Sequence, residues 1–156
     1  PWESPPLTSV KNWIVLSPTE KLVAYAGTVN RSEVVGFNGA TYPQGASMGR
    51  PVFSHDGVTM AYTSKDQGNF IYVNGKRHEV GMPVPLNSRL VISPSGRTCA
   101  WANSTTMVVV DLDLEKVTLA KMCDAVSDPV YDRRTDQFTC LGILAGRMYQ
   151  LSCPAR

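Results

Sequence analysis

Two arginines, an aspartate and a tryptophan are the residues of this chain whose types and spacing best suit ligand binding. Successive members of the set lie 37, 39 and 39 residues apart: Trp13, Arg50, Arg89 and Asp128. A guanidinium offers a planar fork of N–H donors that fits a carboxylate or a phosphate, so the set would suit a small anion or a peptide carboxylate. The simpler alternative is that Arg50 or Arg89 only forms an ion pair with Asp128.

The other reactive side chains of the sequence do not indicate a catalytic site or a metal site. The two histidines, His55 and His78, fall in a predicted turn and a predicted outer strand, and the sequence has no Gly-x-Ser-x-Gly motif. It has no Cys-x-x-Cys spacing either, and histidine is too scarce for the usual zinc patterns. We therefore predict no catalytic residues, no metal and no cofactor.

The four cysteines divide into two pairs by their place in the sequence pattern. Cys99 and Cys140 lie in predicted second strands, where a thiol serves as a small buried apolar group. Cys123 and Cys153 fall near predicted strand ends and could pair in an oxidising compartment. The sequence leaves the disulfide state of all four open.

Composition and charge indicate one globular domain over residues 1–156. Hydrophobic residues make up 43% of the chain and charged residues 18%, which excludes a disordered or coiled-coil protein. The 15 basic and 13 acidic residues are interspersed and give a net charge of +2, so we expect no nucleic-acid partner. Because no apolar run approaches the roughly 18 residues that span a bilayer, we expect no membrane span.

A repeat of about 39 residues organises the chain. Its units align on one turn position, occupied in order by Ser17, Ser54, Ser93 and Asp132. In the first three units the strand after this turn contains alanine followed by an aromatic residue: Ala24-Tyr25, Ala61-Tyr62 and Ala100-Trp101. The fourth unit aligns Cys140-Leu141 with these pairs if its turn has one extra residue.

Each repeat predicts a four-stranded antiparallel unit. Asn38-Gly39 and Asn74-Gly75 predict type I′ turns into outer strands, and residues 112–120 predict a turn followed by an outer strand. Four such units are typical of an all-β propeller, with blades at about 13–49, 50–88, 89–127 and 128–153. The alternative fold is a two-sheet sandwich, which gives no reason for a turn repeated at constant spacing.

Two of the repeats carry a recognisable family pattern. The segments PVFSHDGVTMAYTSKDQGNFIYVNGK and RLVISPSGRTCAW resemble the WD40-like PD40 blades of TolB-type propellers. The resemblance implies a propeller fold and a structural role for Ser54 and Asp56 in the turn, rather than a particular chemistry. It also favours a periplasmic or secreted location.

The strand count raises the question of how the propeller closes. The fourth unit ends after its third predicted strand, so its outer strand is missing. Residues 7–12 precede the first blade and could supply that strand, closing a four-bladed ring within one chain; the pattern slightly favours this arrangement. Otherwise the chain is half of an eight-bladed ring completed by a symmetric partner, which makes it a homodimer, or it is part of a longer protein.

The strong blade pattern without a catalytic constellation favours a binding or scaffold module over an enzyme. Such a module would engage a protein or a small anionic ligand at the mouth of the channel. The alternative is the propeller portion of a hydrolase, either a prolyl-oligopeptidase-like gating domain or part of a sugar-processing enzyme. Both interpretations rest on what propellers do in general.

Overall fold

The structure, a computed structural model, describes residues 7–19, 21–43, 47–65, 69–84 and 86–155, and its regular elements are all β-strands. Valine is the commonest residue in these strands, and it suits a pleated, half-buried surface. Within the described ranges, no helix is long and apolar enough to cross a membrane.

Four antiparallel sheets follow one another along the chain as the four blades. The first blade contains β1 (Ser9–Leu16), β2 (Val23–Val29), β3 (Ser32–Phe37) and β4 (Ala40–Pro43). The second contains β5 (Ser47–Met48), β6 (Val52–Phe53), β7 (Met60–Lys65), β8 (Asn69–Val73) and β9 (Lys76–Glu79). Because β5 and β6 pair with successive parts of the same edge of β7, they act as one interrupted innermost strand.

The third and fourth blades repeat this plan. The third contains β10 (Val91–Ile92), β11 (Thr98–Ala102), β12 (Met107–Asp111) and β13 (Lys116–Leu119). The fourth contains β14 (Ala125–Val126), β15 (Val130–Asp132), β16 (Gln137–Leu144) and β17 (Arg147–Pro154). Here β14 and β15 form the interrupted innermost strand. The all-β prediction of four antiparallel blades is confirmed.

The predicted turns are also observed. Asn38 and Gly39 have φ values of 49° and 78°, and Asn74 and Gly75 have 47° and 86°, the signs that a type I′ turn requires. A turn followed by β13 occupies the stretch at 112–120.

The extra turn residue predicted for the fourth blade is wrong. Every blade closes its first hairpin over the same seven-residue interval, with pairs Leu16 and Val23, Phe53 and Met60, Ile92 and Cys99, and Tyr131 and Phe138. Thr139 therefore corresponds to Ala100, and Cys140 corresponds to Trp101. Asp136 has a φ of 52°, and this left-handed conformation closes the turn without an added residue.

The apolar core lies between consecutive blades. Each blade has a forward face, directed to the next blade, and a rear face, directed to the previous one. Among the described residues, three apolar clusters join the first blade to the second, the second to the third, and the third to the fourth. At the first junction, for example, Phe37 of β3 packs on Phe53 of β6 with ring centroids 5.8 Å apart.

The N-terminal segment does not close a ring with the fourth blade, so that prediction is wrong. Residues 9–12 belong to β1, where Ser9 pairs with Thr28 of β2, and the Thr8 amide donates to the Thr28 carbonyl at 2.7 Å. This local pairing closes a much shorter loop than pairing with β17 would require. Within the described part of the chain, β17 pairs with β16 alone.

Candidate functional site

Three of the four predicted site residues lie at an irregularity or a break in the innermost strand of their blade, and the fourth, Arg89, lies just before its strand. In β1 the pairing register shifts between Val10 and Ile14, and Trp13 lies in this irregularity. Arg50 falls between β5 and β6, Asp128 falls between β14 and β15, and Arg89 stands two residues before β10. Bulges and breaks of this kind bend a strand and redirect its side chains, which explains their frequency beside binding sites.

The residue before each of three site positions is tied to the second strand of its blade. Each tie is a hydrogen bond to a backbone carbonyl: Gly49 N to Thr63 at 2.8 Å, Ser88 Oγ to Ala102 at 3.2 Å, and Ser127 N to Leu141 at 2.8 Å. The three acceptors occupy equivalent positions in the repeat. A backbone amide makes this bond in the second and fourth blades and the Ser88 hydroxyl makes it in the third, so the chain is anchored at equivalent positions beside Arg50, Arg89 and Asp128.

The structure places all four predicted site residues around one cleft. Its volume is about 750 Å³, and it is lined by the innermost strands of all four blades. This volume lies within the usual range for small-molecule sites. Trp13 is half-buried there, whereas Arg50, Arg89 and Asp128 are exposed to solvent.

The ion pair that offered the simpler explanation for these charges is not formed. Among the described residues, the ion pair observed joins Arg97 to Asp113 at 3.2 Å, outside the cleft. Neither Arg50 nor Arg89, both of which the structure describes, lies within ion-pairing distance of the Asp128 carboxylate. The cleft therefore presents two guanidiniums and one carboxylate, which leaves a net positive charge available to a ligand.

Sequence reasoning missed the loop at 86–88, whose three residues also line the cleft. Asn87 and Ser88 add polar groups beside Arg89, although the Ser88 hydroxyl already donates to a backbone carbonyl. Their position directly before Arg89 in the sequence could have indicated that they line the cleft, because residues adjacent to an exposed site residue are often exposed on the same surface.

A smaller hollow of about 260 Å³ extends from the cleft along the innermost strands. It shares Phe53, Arg89 and Val91 with the cleft and adds His55 and Tyr131. Burial is the main cause of a raised pKa at Tyr131, followed by its hydrogen bond to Asp136 at 2.9 Å. Tyr131 therefore stays protonated at neutral pH.

The repeated turn residues have the structural role expected of them. The Ser54 hydroxyl accepts from the Thr59 amide at 3.0 Å and donates to Asp56, which in turn accepts from the Val58 amide at 3.2 Å. Ser93 accepts from the Thr98 amide in the same way at 3.2 Å. Asp56 is therefore engaged in closing its turn.

The remaining reactive side chains lie apart from the cleft. His78 Nδ1 is 3.1 Å from the Leu112 carbonyl oxygen, which links the outer strand of the second blade to the third blade. All four thiols are free and buried: Cys99, Cys123, Cys140 and Cys153. Within the described ranges, no group of three histidine, cysteine, aspartate or glutamate residues is arranged to hold a metal ion.

Solved β-propellers resemble this fold over most of its length. A TolB-type protein from Agrobacterium tumefaciens matches with a TM-score of 0.57 and 16% identity, over 94% of this chain and 59% of that one. An oligogalacturonate lyase in complex with manganese matches with a TM-score of 0.56 and 15% identity, over 84% of this chain and 44% of that one. The oligogalacturonate lyase of Vibrio parahaemolyticus gives 0.55 and 14%, over 84% and 45%.

The fold is that of the TolB-type β-propellers. No protein-family model and no curated protein matches the sequence. At 14–16% identity the structural similarity extends to the fold alone. The chain spans 59% of the TolB-type protein and less than half of each lyase.

Proposed function

We propose that this chain is a non-catalytic binding module of the propeller type that holds an anionic group in the cleft at the channel mouth. The ligand is a small molecule, or a protein segment, that carries a carboxylate or a phosphate. The observation that carries the proposal is the convergence of Trp13, Arg50, Arg89 and Asp128 on one cleft without an ion pair between them.

Each side chain has a distinct role in this proposal. Arg50 and Arg89 hold the anionic group with forked hydrogen bonds, which are stronger than neutral ones. The indole of Trp13 supplies an apolar face for the body of the ligand. Asp128 accepts a hydrogen bond from a hydroxyl or amine of the ligand and disfavours a second anionic group beside it.

Isothermal titration calorimetry with phosphate, citrate and galacturonate tests the proposal. We expect at least one of these anions to bind the native chain, and the double variant Arg50→Ala/Arg89→Ala to abolish that binding. Its melting temperature should hardly change, because both arginines are exposed and such substitutions shift stability by only about 0.5 kcal/mol.

A matched control variant removes two arginine charges outside the cleft. Arg133 and Arg134 lie exposed in the turn between β15 and β16, outside the cleft. Arg133→Ala/Arg134→Ala should therefore bind like the native chain. An equal loss of binding in both double variants would mean that anion binding depends only on the net charge of the chain. That result would contradict a specific binding site.

The second hypothesis is that the chain is the propeller portion of a hydrolase or a sugar-processing enzyme. It is retained because two of the proteins with this fold are oligogalacturonate lyases. It predicts turnover of a peptide or an oligosaccharide that is lost when Arg50 and Arg89 are replaced. Binding of an anion without turnover of such substrates would favour the binding module.

A further inference from the structure

The smaller hollow beside the cleft lies between the innermost strands of neighbouring blades. Its volume is about 260 Å³. Phe53 of β6, Val91 of β10 and Tyr131 of β15 line it, and all three side chains are half-buried. The second, third and fourth blades therefore each contribute a partly open apolar side chain to its walls.

The hydroxyl groups around the hollow are already engaged by the fold. The Ser54 hydroxyl makes two hydrogen bonds within its turn, and the Tyr131 hydroxyl donates to Asp136 at 2.9 Å. Among the described residues that line the hollow, the other polar side chains are His55 and Arg89. A ligand group that enters the hollow therefore meets mostly carbon surface, which favours an apolar group.

The two aromatic walls of the hollow are held in place by other rings. Phe53 packs on Phe37 with ring centroids 5.8 Å apart, and Tyr131 packs edge-to-face on Phe138 at the same centroid distance. Walls that are fixed before binding lose little conformational entropy when a ligand arrives. Aromatic rings also attract a further ring in an edge-to-face or offset arrangement. These walls therefore suit an aromatic ring.

Arg89 connects the hollow to the cleft. Among the described arginine, lysine, aspartate and glutamate residues, it alone lines both spaces. Arg50 and Asp128 line the cleft and not the hollow. An anionic group held by Arg89 is thus close enough to the hollow for a short ligand to reach both.

We propose that the hollow is an aromatic subsite of the anion site, and that the ligand is a small carboxylate that carries one aromatic ring. The inference rests on the proposed function, because Arg50 and Arg89 hold the carboxylate while the ring lies between Phe53 and Tyr131. An apolar cavity of about 150 Å³ is enough to bind benzene. A hollow of about 260 Å³ therefore has room for a phenyl or an indole ring.

Nuclear magnetic resonance titrations of the full chain with acetate and with phenylacetate test this proposal, since the two anions differ by one phenyl ring. We expect phenylacetate to bind about 10- to 100-fold more tightly than acetate, as burial of a phenyl group predicts. Arg50→Ala/Arg89→Ala should abolish the binding of both anions.

A blocking variant tests the location of the ring. Val130 lines the hollow but not the cleft and is 53% exposed, so Val130→Trp fills the hollow without replacing a core residue. Its affinity for phenylacetate should fall to that for acetate, while citrate binding stays unchanged. Val117→Trp is the matched control, because Val117 is also a partly exposed strand valine but lies outside both spaces.

A second blocking variant approaches the hollow from another blade. His55 is exposed in the turn that follows β6 and lines the hollow but not the cleft. His55→Trp should therefore also remove the preference for phenylacetate and preserve citrate binding. Circular dichroism of all three tryptophan variants should match that of the native chain.

Three results would overturn the proposal. Equal affinities of the native chain for acetate and phenylacetate would contradict the aromatic subsite and leave the anion site intact. A preference for phenylacetate that survives both Val130→Trp and His55→Trp would place the ring elsewhere. Absence of binding by phosphate, citrate and phenylacetate alike would contradict the anion site itself, and the subsite with it.

Discussion

At the scale of single residues, the repeat separates side chains that build the blade from side chains that are free for function. Ser54 lies fully buried in its turn and makes two hydrogen bonds, whereas Arg50, four residues earlier, is exposed on the cleft. Both positions recur in every blade. Their recurrence alone therefore does not indicate function, and it is the change of residue type at the Arg50 position that does.

Replacing the turn serine should destabilise the fold without affecting the cleft. Ser54→Ala leaves the Thr59 amide without its side-chain acceptor and Asp56 without its donor, at a cost of about 1–3 kcal/mol. Urea unfolding measures this difference. Ser104→Ala, at an exposed loop position, should change the free energy of unfolding by less than about 0.5 kcal/mol.

The thiols should be protected in the native state and should make stability depend on pH. Burial raises the pKa of Cys99 far above its ordinary value of 9.0 and also raises those of Cys140 and Cys153. In the unfolded chain these thiols ionise near pH 9, so the stabilisation is present below that pH and is lost as the pH rises above it.

Two measurements check the behaviour of the thiols. Iodoacetamide at pH 8 should leave the native chain unmodified and should modify all four cysteines in urea. Urea unfolding should give a lower free energy at pH 10 than at pH 8. Rapid alkylation of the native chain would show that these cysteines are accessible, contrary to their burial.

At the scale of secondary-structure elements, hairpins and their turns were predictable because local residue types determine them. Asn-Gly dipeptides and the repeated serine turn specify backbone conformations that few other residues adopt. The alignment of the fourth blade failed because its turn has no glycine, and its left-handed residue, Asp136, lies one position later than Gly57 and Gly96 do in their turns. The breaks in the innermost strands of the second and fourth blades and the register shift in β1 were also missed.

The two Asn-Gly turns offer a matched test of how one blade contacts the next. Gly39 and Gly75 both have positive φ, so alanine at either should cost about 1–2 kcal/mol in backbone strain. A methyl group at Gly39 meets open space, but one at Gly75 clashes with the ring of Tyr42 in the first blade.

Gly75→Ala should therefore destabilise the chain by roughly 1–3 kcal/mol more than Gly39→Ala, as expected for overpacking. Thermal unfolding of the two variants side by side measures the difference. Equal losses would indicate that the turn of the second blade does not rest on Tyr42.

At the scale of the whole molecule, the sequence predicted the number and type of blades but not how the array ends. The blade period is a local property repeated four times, and the four cleft residues followed from it because equivalent positions of a propeller meet at one opening. The role of residues 7–12 was predicted wrongly, because whether an N-terminal strand pairs locally or across a ring depends on competition between two sheets.

A nuclear magnetic resonance titration with citrate tests the location of the ligand most directly. We expect the Trp13 indole and the amides of residues 86–91 to shift with increasing citrate. The turn at 133–136 should not move, and 1 M salt should weaken the shifts because the arginines are exposed and screened. Shifts confined to that turn, or equal shifts after Arg50→Ala/Arg89→Ala, would contradict a binding site at the channel mouth.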